Sequence, residues 1–214
     1  MNRSSKRAGF TLIEMAVVAA VLALALGSLA LFGRRSALAL RSGATQSDLD
    51  SRLQNTLVRI SKELLPSGFR VITPTVTPPE GASAIEYRKS AGAVNGTLEW
   101  GERNRIAFEY ETGELDDGLD NNDNGFVDEG VVLWTLDVGQ PGELRTVLCH
   151  GVREHARGET PNGEDDNGNG LLDERGLSFE RSGEGLRVRL TIEDRDPEGR
   201  VLTRALETEI QPRN

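Results

Sequence analysis

The longest apolar run of the chain extends from Phe10 to Phe32, directly after a short basic segment, residues 1–9. Its 23 residues contain one charged side chain, Glu14. A helix of about 20 residues, rising about 1.5 Å per residue, spans the roughly 30 Å hydrocarbon core of a bilayer. The pattern therefore predicts a membrane-spanning helix over 10–33. Glu14 is a candidate functional residue, because a carboxylate inside a bilayer costs about 2.5–3.5 kcal/mol.

A polar stretch with a regular apolar stripe follows the membrane-spanning run. Its large aliphatic residues recur every three or four positions and so share one helical face: Leu49, Leu53, Leu57, Ile60 and Leu64. We predict one helix over 10–65, ended by Pro66, with 34–66 as its amphipathic half and Gly27 and Gly43 as the positions where it would bend. The stripe lasts only about three heptads, which favours packing on its own domain over an independent coiled coil.

Beyond residue 66 the apolar positions alternate, as in Leu186, Val188, Leu190 and Ile192. Alternation is typical of a strand with one buried face. We expect strands at 84–88, 97–100, 105–110, 131–138, 143–149, 177–182, 186–194 and 201–211. The predicted fold class is α+β: a long N-terminal helix, transmembrane and then amphipathic, packed against the antiparallel sheet of a globular domain, residues 67–214.

Charge and the few reactive residues narrow the function classes. The net charge of −9 argues against nucleic acid as a partner, because nucleic-acid binding needs a basic patch. Cys149 is the only cysteine, which excludes an internal disulfide, and its apolar neighbours indicate a core residue.

The sequence contains no pattern that predicts an enzyme. Its only histidines, His150 and His155, are interpreted as loop residues. Cys149 and His150 would point to opposite faces of a strand and could not act as a pair. The sequence contains no nucleophile elbow, P-loop or H-E-x-x-H motif.

The start of the apolar run reads Lys6-Arg7-Ala8-Gly9-Phe10-Thr11-Leu12-Ile13-Glu14. A secretory signal peptide has a shorter apolar region, of about 7–15 residues, and a small-residue cleavage site. A plain membrane anchor would explain the length of the run but not its glutamate. The motif resembles the class III signal of type IV pilins and type II secretion pseudopilins. This resemblance covers the leader and the apolar run.

The resemblance implies a processing site and an assembly residue. A prepilin peptidase would cleave after Gly9 and methylate the new N-terminal amine of Phe10. Glu14 would then pair with the N-terminal cation of a neighbouring subunit, since opposite charges buried together cost less than either buried alone. Removing the leader leaves 22 basic against 34 acidic residues, and a net charge of −12.

The resemblance also implies a location. Arg3, Lys6 and Arg7 favour a cytoplasmic N-terminus, although Arg34 and Arg35 after the span weaken the charge bias. The protein would cross the bacterial inner membrane once, with its C-terminal domain in the periplasm. It would later enter a periplasmic or surface filament.

The long helix and the C-terminal pattern are similar to the J-type pseudopilin of type II secretion and the related W-type minor pilin. The implied function is structural: a minor subunit that joins or primes a type II secretion pseudopilus or a type IV pilus tip, with other pilin-like subunits as partners. Two alternatives stay open. One is a singly anchored periplasmic calcium-binding protein, and the other is a pilin-borne adhesin or DNA-uptake subunit.

Two acidic segments, 114–130 and 159–176, interrupt the strand pattern. Within them loop 1 (117–129) aligns without gaps to loop 2 (162–174) at an offset of 45 residues. Oxygen side chains at three alternate positions followed by glycine form half of an EF-hand calcium loop. The predicted ligands are Asp117, Asp120, Asn122, Asn124, Phe126 (carbonyl), Asp128 and Glu129 in loop 1, and Asp165, Asn167, Asn169, Leu171 (carbonyl), Asp173 and Glu174 in loop 2.

The loops depart from an EF-hand, because Val131 and Gly176 stand where its last glutamate would be. They are more similar to thrombospondin type 3 repeats, which wrap calcium. Bare acidic turns are the alternative, since Asp, Asn and Gly all favour turns. Repetition of the whole register and the hard oxygen ligands favour a structural Ca²⁺ over bare turns, and whether both loops bind it stays open. Only loop 1 has Asp117, which makes it the stronger predicted site.

Overall fold

The computed structural model describes residues 11–213, and Gly9 and Phe10 lie outside the described residues. A long helix, α1 (Leu12–Leu64), leads into a short 3-10 helix (Phe69–Val71). Seven strands follow: β1 (Ala84–Val94), β2 (Thr97–Tyr110), β3 (Gly130–Leu136), β4 (Leu144–Val152), β5 (Leu177–Ser182), β6 (Gly185–Arg195) and β7 (Val201–Ile210). The chain divides between Ala44 and Thr45 into two compact units.

The first unit consists of the N-terminal part of α1. Its side chains from 11 to 35 are all exposed, and the helix is long and apolar enough to cross a membrane. The helix continues through Gly27 and Gly43 without interruption. Its bounds confirm the predicted long helix over the described residues.

The second unit is built on the apolar stripe of α1. The five predicted side chains, Leu49, Leu53, Leu57, Ile60 and Leu64, are each at most 4% exposed. They share one core cluster with side chains of the sheet, among them Ile106, Val132 and Ile192. Burying a side chain of this size contributes about 1.5–3 kcal/mol, so this stripe is a major part of the adhesion between helix and sheet.

The seven strands form one antiparallel sheet with the order β1-β2-β3-β4-β6-β5, and β7 pairs with β6. This confirms the predicted α+β class. The strand segments predicted at 97–100 and 105–110 are parts of one strand, β2. Asn95 and Gly96 turn β1 into β2 with φ values of 52° and 78°, as an Asn-Gly hairpin turn requires.

Strand β4 corrects one prediction and confirms another. His150 is a strand residue and not a loop residue, because pairing of β4 with β3 continues as far as Gly130 and Val152. Cys149 is buried and the His150 side chain is 61% exposed, so the two point to opposite faces as expected. Cys149 is a core residue, and burial raises the pKa of its thiol.

Polar contacts also join α1 to the sheet. Arg52 donates to Asp194 Oδ2 at 3.0 Å and to the His150 carbonyl at 2.7 Å. Thr56 Oγ1 approaches the Leu148 carbonyl at 3.5 Å. Strand β4 pairs with β6 only at Val152. Along the rest of this edge, helix side chains cover two carbonyls of β4.

Strand β6 has two faces of different character. Val188, Leu190 and Ile192 are fully buried in the core. Alternation places Arg189, Thr191, Glu193 and Arg195 on the opposite face. Both acidic loops lie against that face: Arg195 contacts Phe126 of loop 1, and Arg189 and Thr191 line a cavity shared with loop 2.

Truncation of the stripe should destabilise the second unit. We expect Leu53→Ala to lower the free energy of unfolding by about 2–5 kcal/mol, because it leaves a cavity under the sheet. Val58→Ala, on the same helix but 52% exposed, should cost less than about 1 kcal/mol. Urea unfolding of the detergent-solubilised chain, followed by tryptophan fluorescence, measures both. Equal losses would contradict the packing described here.

Candidate functional site

The start of α1 is closed by a reciprocal pair of hydrogen bonds. Thr11 donates to Glu14 Oε2 from its backbone N–H at 2.8 Å and from its hydroxyl at 2.9 Å. The Glu14 N–H donates to Thr11 Oγ1 at 3.3 Å. This is a capping box, which satisfies backbone donors at the helix start. Glu14 therefore has a partner within its own chain.

Four predicted ligands of loop 1 are linked by hydrogen bonds that meet at Asn124 and Glu129. Asn122 and Asn124 donate their side-chain amides to Glu129 Oε1 at 3.1 and 2.5 Å. Asp120 accepts the backbone N–H groups of Asn124 and Gly125 at 3.1 and 2.7 Å. Gly125 has φ = 92°, a conformation that only glycine adopts readily.

Loop 2 repeats this geometry. Asn167 and Asn169 donate to Glu174 Oε1 at 3.1 and 2.5 Å. Asp165 accepts the backbone N–H groups of Asn169 and Gly170 at 3.1 and 2.8 Å. The two loops thus share a backbone path as well as a sequence register, which independent acidic turns would not be expected to do.

Three predicted ligands serve the turns at the loop starts. Asp128 Oδ2 accepts the N–H of Gly118 at 2.8 Å, and Asp173 Oδ2 accepts that of Gly163 at 2.8 Å. Asp117 Oδ1 accepts the N–H of Leu119 at 3.0 Å. The structure therefore shows these carboxylates accepting backbone hydrogen bonds, and Asp117 also accepts the side-chain amide of Asn121 at 2.9 Å.

The two residues predicted to supply carbonyl ligands pack on different neighbours. The Phe126 ring lies 5.1 Å from the guanidinium of Arg195. Leu171 is fully buried. Both backbone N–H groups donate to the preceding asparagine side chain, from Phe126 to Asn124 and from Leu171 to Asn169, each at 2.9 Å.

Each loop has a further acid that the sequence prediction missed. Glu114 Oε1 accepts the N–H of Asn122 at 2.8 Å, and Glu159 Oε1 accepts that of Asn167 at 3.0 Å. Both glutamates stand three residues before their loop and keep the offset of 45 residues. Extending the repeat alignment by three residues towards the N-terminus would have found them.

The acids of the loops are buried to an unusual degree. Glu129 is 1% exposed and Glu174 is 3% exposed, and the Oε2 atom of each has no hydrogen-bond partner in the described part of the chain. Burial, together with the charges of Glu174 and Asp165, raises the pKa of Glu159. A buried carboxylate without a partner is costly unless a cation or a donor compensates it. Hard oxygen ligands of this kind fit calcium.

Asp128 of loop 1 also belongs to a group of three carboxylates that an arginine partly compensates. Carboxylate oxygens of Asp116, Asp128 and Glu154 lie within 4.8 Å of one another. Arg175 contacts two of them, Asp116 and Glu154, each at 3.3 Å. It also donates to the hydroxyl of Tyr110 at 2.5 Å. One guanidinium compensates only part of the charge of three carboxylates, and it does so at Asp116 and Glu154.

The two tyrosines of the chain provide a pH test of these contacts. Burial raises the pKa of Tyr110 to about 12, and burial beside Glu63 raises that of Tyr87. We expect no tyrosinate absorbance from the folded protein at about pH 10, where unfolded tyrosine is half ionised. The stability that Tyr110 contributes is complete below about pH 10 and is lost as pH rises through its folded pKa. A tyrosinate signal from the folded protein near pH 10 would contradict the burial.

Comparison with known proteins identifies the N-terminal segment. Residues 4–30 match the family model described as the prokaryotic N-terminal methylation motif. No curated protein and no solved structure matches the chain. The motif indicates a pilin-type precursor that is processed by prepilin peptidase and assembles with other pilin subunits. Together with the apolar half of α1, it indicates a membrane anchor of a single pass.

Proposed function

We propose that the protein is a minor pilin or pseudopilin, a structural subunit that joins or primes a type II secretion pseudopilus or a type IV pilus tip. The observation that carries the proposal is the methylation motif at 4–30, which leads into a helix whose second half carries a sheet domain. The N-terminus is cytoplasmic and the sheet domain is periplasmic, which agrees with the basic leader.

Glu14 is the assembly residue in this proposal. In the single chain its carboxylate is held by Thr11 within the capping box. In a filament of parallel helices it exchanges this contact for the methylated amine of a neighbouring subunit. A pair of opposite charges in an apolar bundle fixes the axial register of the subunits, because displacement leaves both charges uncompensated.

We also propose that the two loops bind Ca²⁺ as a structural cation. The support is the donor set, Asp120, Asn122, Asn124 and Glu129 with their counterparts in loop 2, and the buried carboxylate oxygens that have no protein donor. Calcium would supply positive charge at those oxygens and fix the loops against β6. Asp128 and Asp173 shape the turns beside the cation, and Glu114 orders the backbone of loop 1.

Replacement of Glu14 tests the filament role. We expect Glu14→Ala to insert in the membrane and to be processed like the wild type, because the leader and the apolar run are intact. The variant should be depleted from sheared filament fractions, since the subunit amine loses its counter-charge. Intact mass and immunoblots of membrane and filament fractions, from cells with their native secretion or pilus system, are the measurements.

Ser28→Ala is the matched control. Ser28 is an exposed polar residue of the same helix and donates to the Ala25 carbonyl of its own turn, so its loss should leave assembly unchanged. A wild-type protein whose mass still begins at Met1 would refute prepilin processing. That result would favour the singly anchored calcium-binding protein.

Calcium removal tests the cation role. A ligand present at about 100 times its dissociation constant stabilises the folded state by about 2.7 kcal/mol. We therefore expect a chelator to lower the midpoint of thermal unfolding of the purified chain, and CaCl₂ to restore it. MgCl₂ at the same concentration is the control, because magnesium prefers octahedral sites that retain water. An unchanged midpoint would refute a structural calcium.

A further inference from the structure

The two loops differ at the acid that precedes each of them. Both oxygens of Glu114 are used by the backbone of loop 1: Oε1 accepts from Asn121 and Asn122, and Oε2 accepts from Asp128 at 3.3 Å. Glu159 accepts one hydrogen bond, from the N–H of Asn167. Its Oε2 is buried and has no partner among the described residues. The same sequence position therefore has a satisfied carboxylate in loop 1 and an unsatisfied one in loop 2.

Glu159 and Glu174 flank the same residue. Asn167 donates its backbone N–H to Glu159 at 3.0 Å and its side-chain amide to Glu174 at 3.1 Å. Glu159 is 7% exposed and Glu174 is 3% exposed. Beside Asn167, loop 2 thus has two buried carboxylate oxygens that accept no hydrogen bond from the described residues, one on Glu159 and one on Glu174. Loop 1 has one such oxygen, on Glu129.

The charged neighbours of the two loops also differ, and they too favour a cation in loop 2. The guanidinium of Arg195 donates to the carbonyl of Gly125, so a fixed positive charge lies against the turn of loop 1. At Gly170, the counterpart in loop 2, no heavy atom of the described residues other than its two chain neighbours lies within 4 Å of where a Cβ would be. Arg195 is exposed, so solvent weakens its repulsion of a cation in loop 1 without removing it.

A cavity of about 300 Å³ adjoins loop 2 and is lined by Asn167, Asn169 and Glu174. It is large enough to hold water molecules that would complete the coordination of a calcium ion. Of the two arginines that line it, Arg189 is held by Glu180 and Glu207, each at 3.0 Å. The other, Arg157, is exposed to solvent, which screens its charge.

We propose that loop 2 is the tighter of the two cation sites and that Glu159 and Glu174 are both ligands of its Ca²⁺. The proposal rests on the proposed calcium binding of the loops. It reverses the order expected from sequence, where Asp117 favoured loop 1. Asp117 is engaged in the turn of its own loop, while the carboxylate that decides the order stands outside the aligned segment.

The internal repeat provides matched variants for the test. Calcium titration of the chelator-treated, detergent-solubilised full chain by calorimetry should resolve a tighter and a weaker site. We expect Glu159→Gln to weaken the tighter site by at least about tenfold, because a charged ligand is lost. Glu114→Gln, the control at the equivalent position, should change the tighter site by less than about twofold.

Thermal unfolding in chelator gives a readout that needs no metal. Glu159→Gln should raise the midpoint, because it removes a buried charge of which one oxygen, Oε2, has no partner among the described residues. Glu114→Gln should lower it, because an amide cannot accept all three backbone hydrogen bonds of that carboxylate. If either variant fails to fold, Glu174→Gln and Glu129→Gln form a second pair, of which the first should weaken the tighter site.

The outcomes separate the two proposals. A wild-type chain that takes up no calcium overturns calcium binding itself and the ranking with it. A chain that binds calcium but whose tighter site is weakened by Glu114→Gln as much as by Glu159→Gln overturns the ranking alone. Weakening of the tighter site by Glu159→Gln but not by Glu114→Gln, together with opposite shifts of their unfolding midpoints in chelator, establishes Glu159 as a ligand.

Discussion

Burial of the leucine stripe of α1 against the sheet is the contact on which the rest of the structure depends. The stripe packs in one core with Val188, Leu190 and Ile192 on the inner face of β6. The other face of β6 therefore points away from the helix. The two acidic loops occupy that outer face. A weaker stripe would therefore loosen the sheet and also remove the surface on which the loops are ordered. The amphipathic half of α1 and the two acidic loops therefore lie on opposite faces of the same strand.

The fold could be predicted from the sequence to a large extent, because its main elements have unmistakable periods. The spacing of Leu49 to Leu64 specifies one helical face, and the alternation in β6 specifies one buried strand face. Strand ends were less predictable. The extent of β4, which takes in His150, depends on pairing with β3, and no local pattern at residue 150 reports that pairing.

The sequence predicted which residues make up the candidate site, but not which of them bind the backbone of the loop and which face a cation. The repeat identified Asp120, Asn122, Asn124 and Glu129, which the fold brings together. It could not reveal that Asp128 would face a turn, because a carboxylate that binds backbone amides and one that binds a cation look alike in sequence. Glu159 was missed since its burial is a property of the folded loop and not of its neighbours in the chain.

The cover that α1 places on β4 has a consequence for solubility. Strand edges with free carbonyl and amide groups recruit strands of other molecules and lead to aggregation. Arg52 and Thr56 lie over the carbonyls of His150 and Leu148, so a foreign strand would have to displace a charged and a branched side chain before pairing. A subunit that waits in a crowded membrane for its filament would in this way be protected against premature, unordered association.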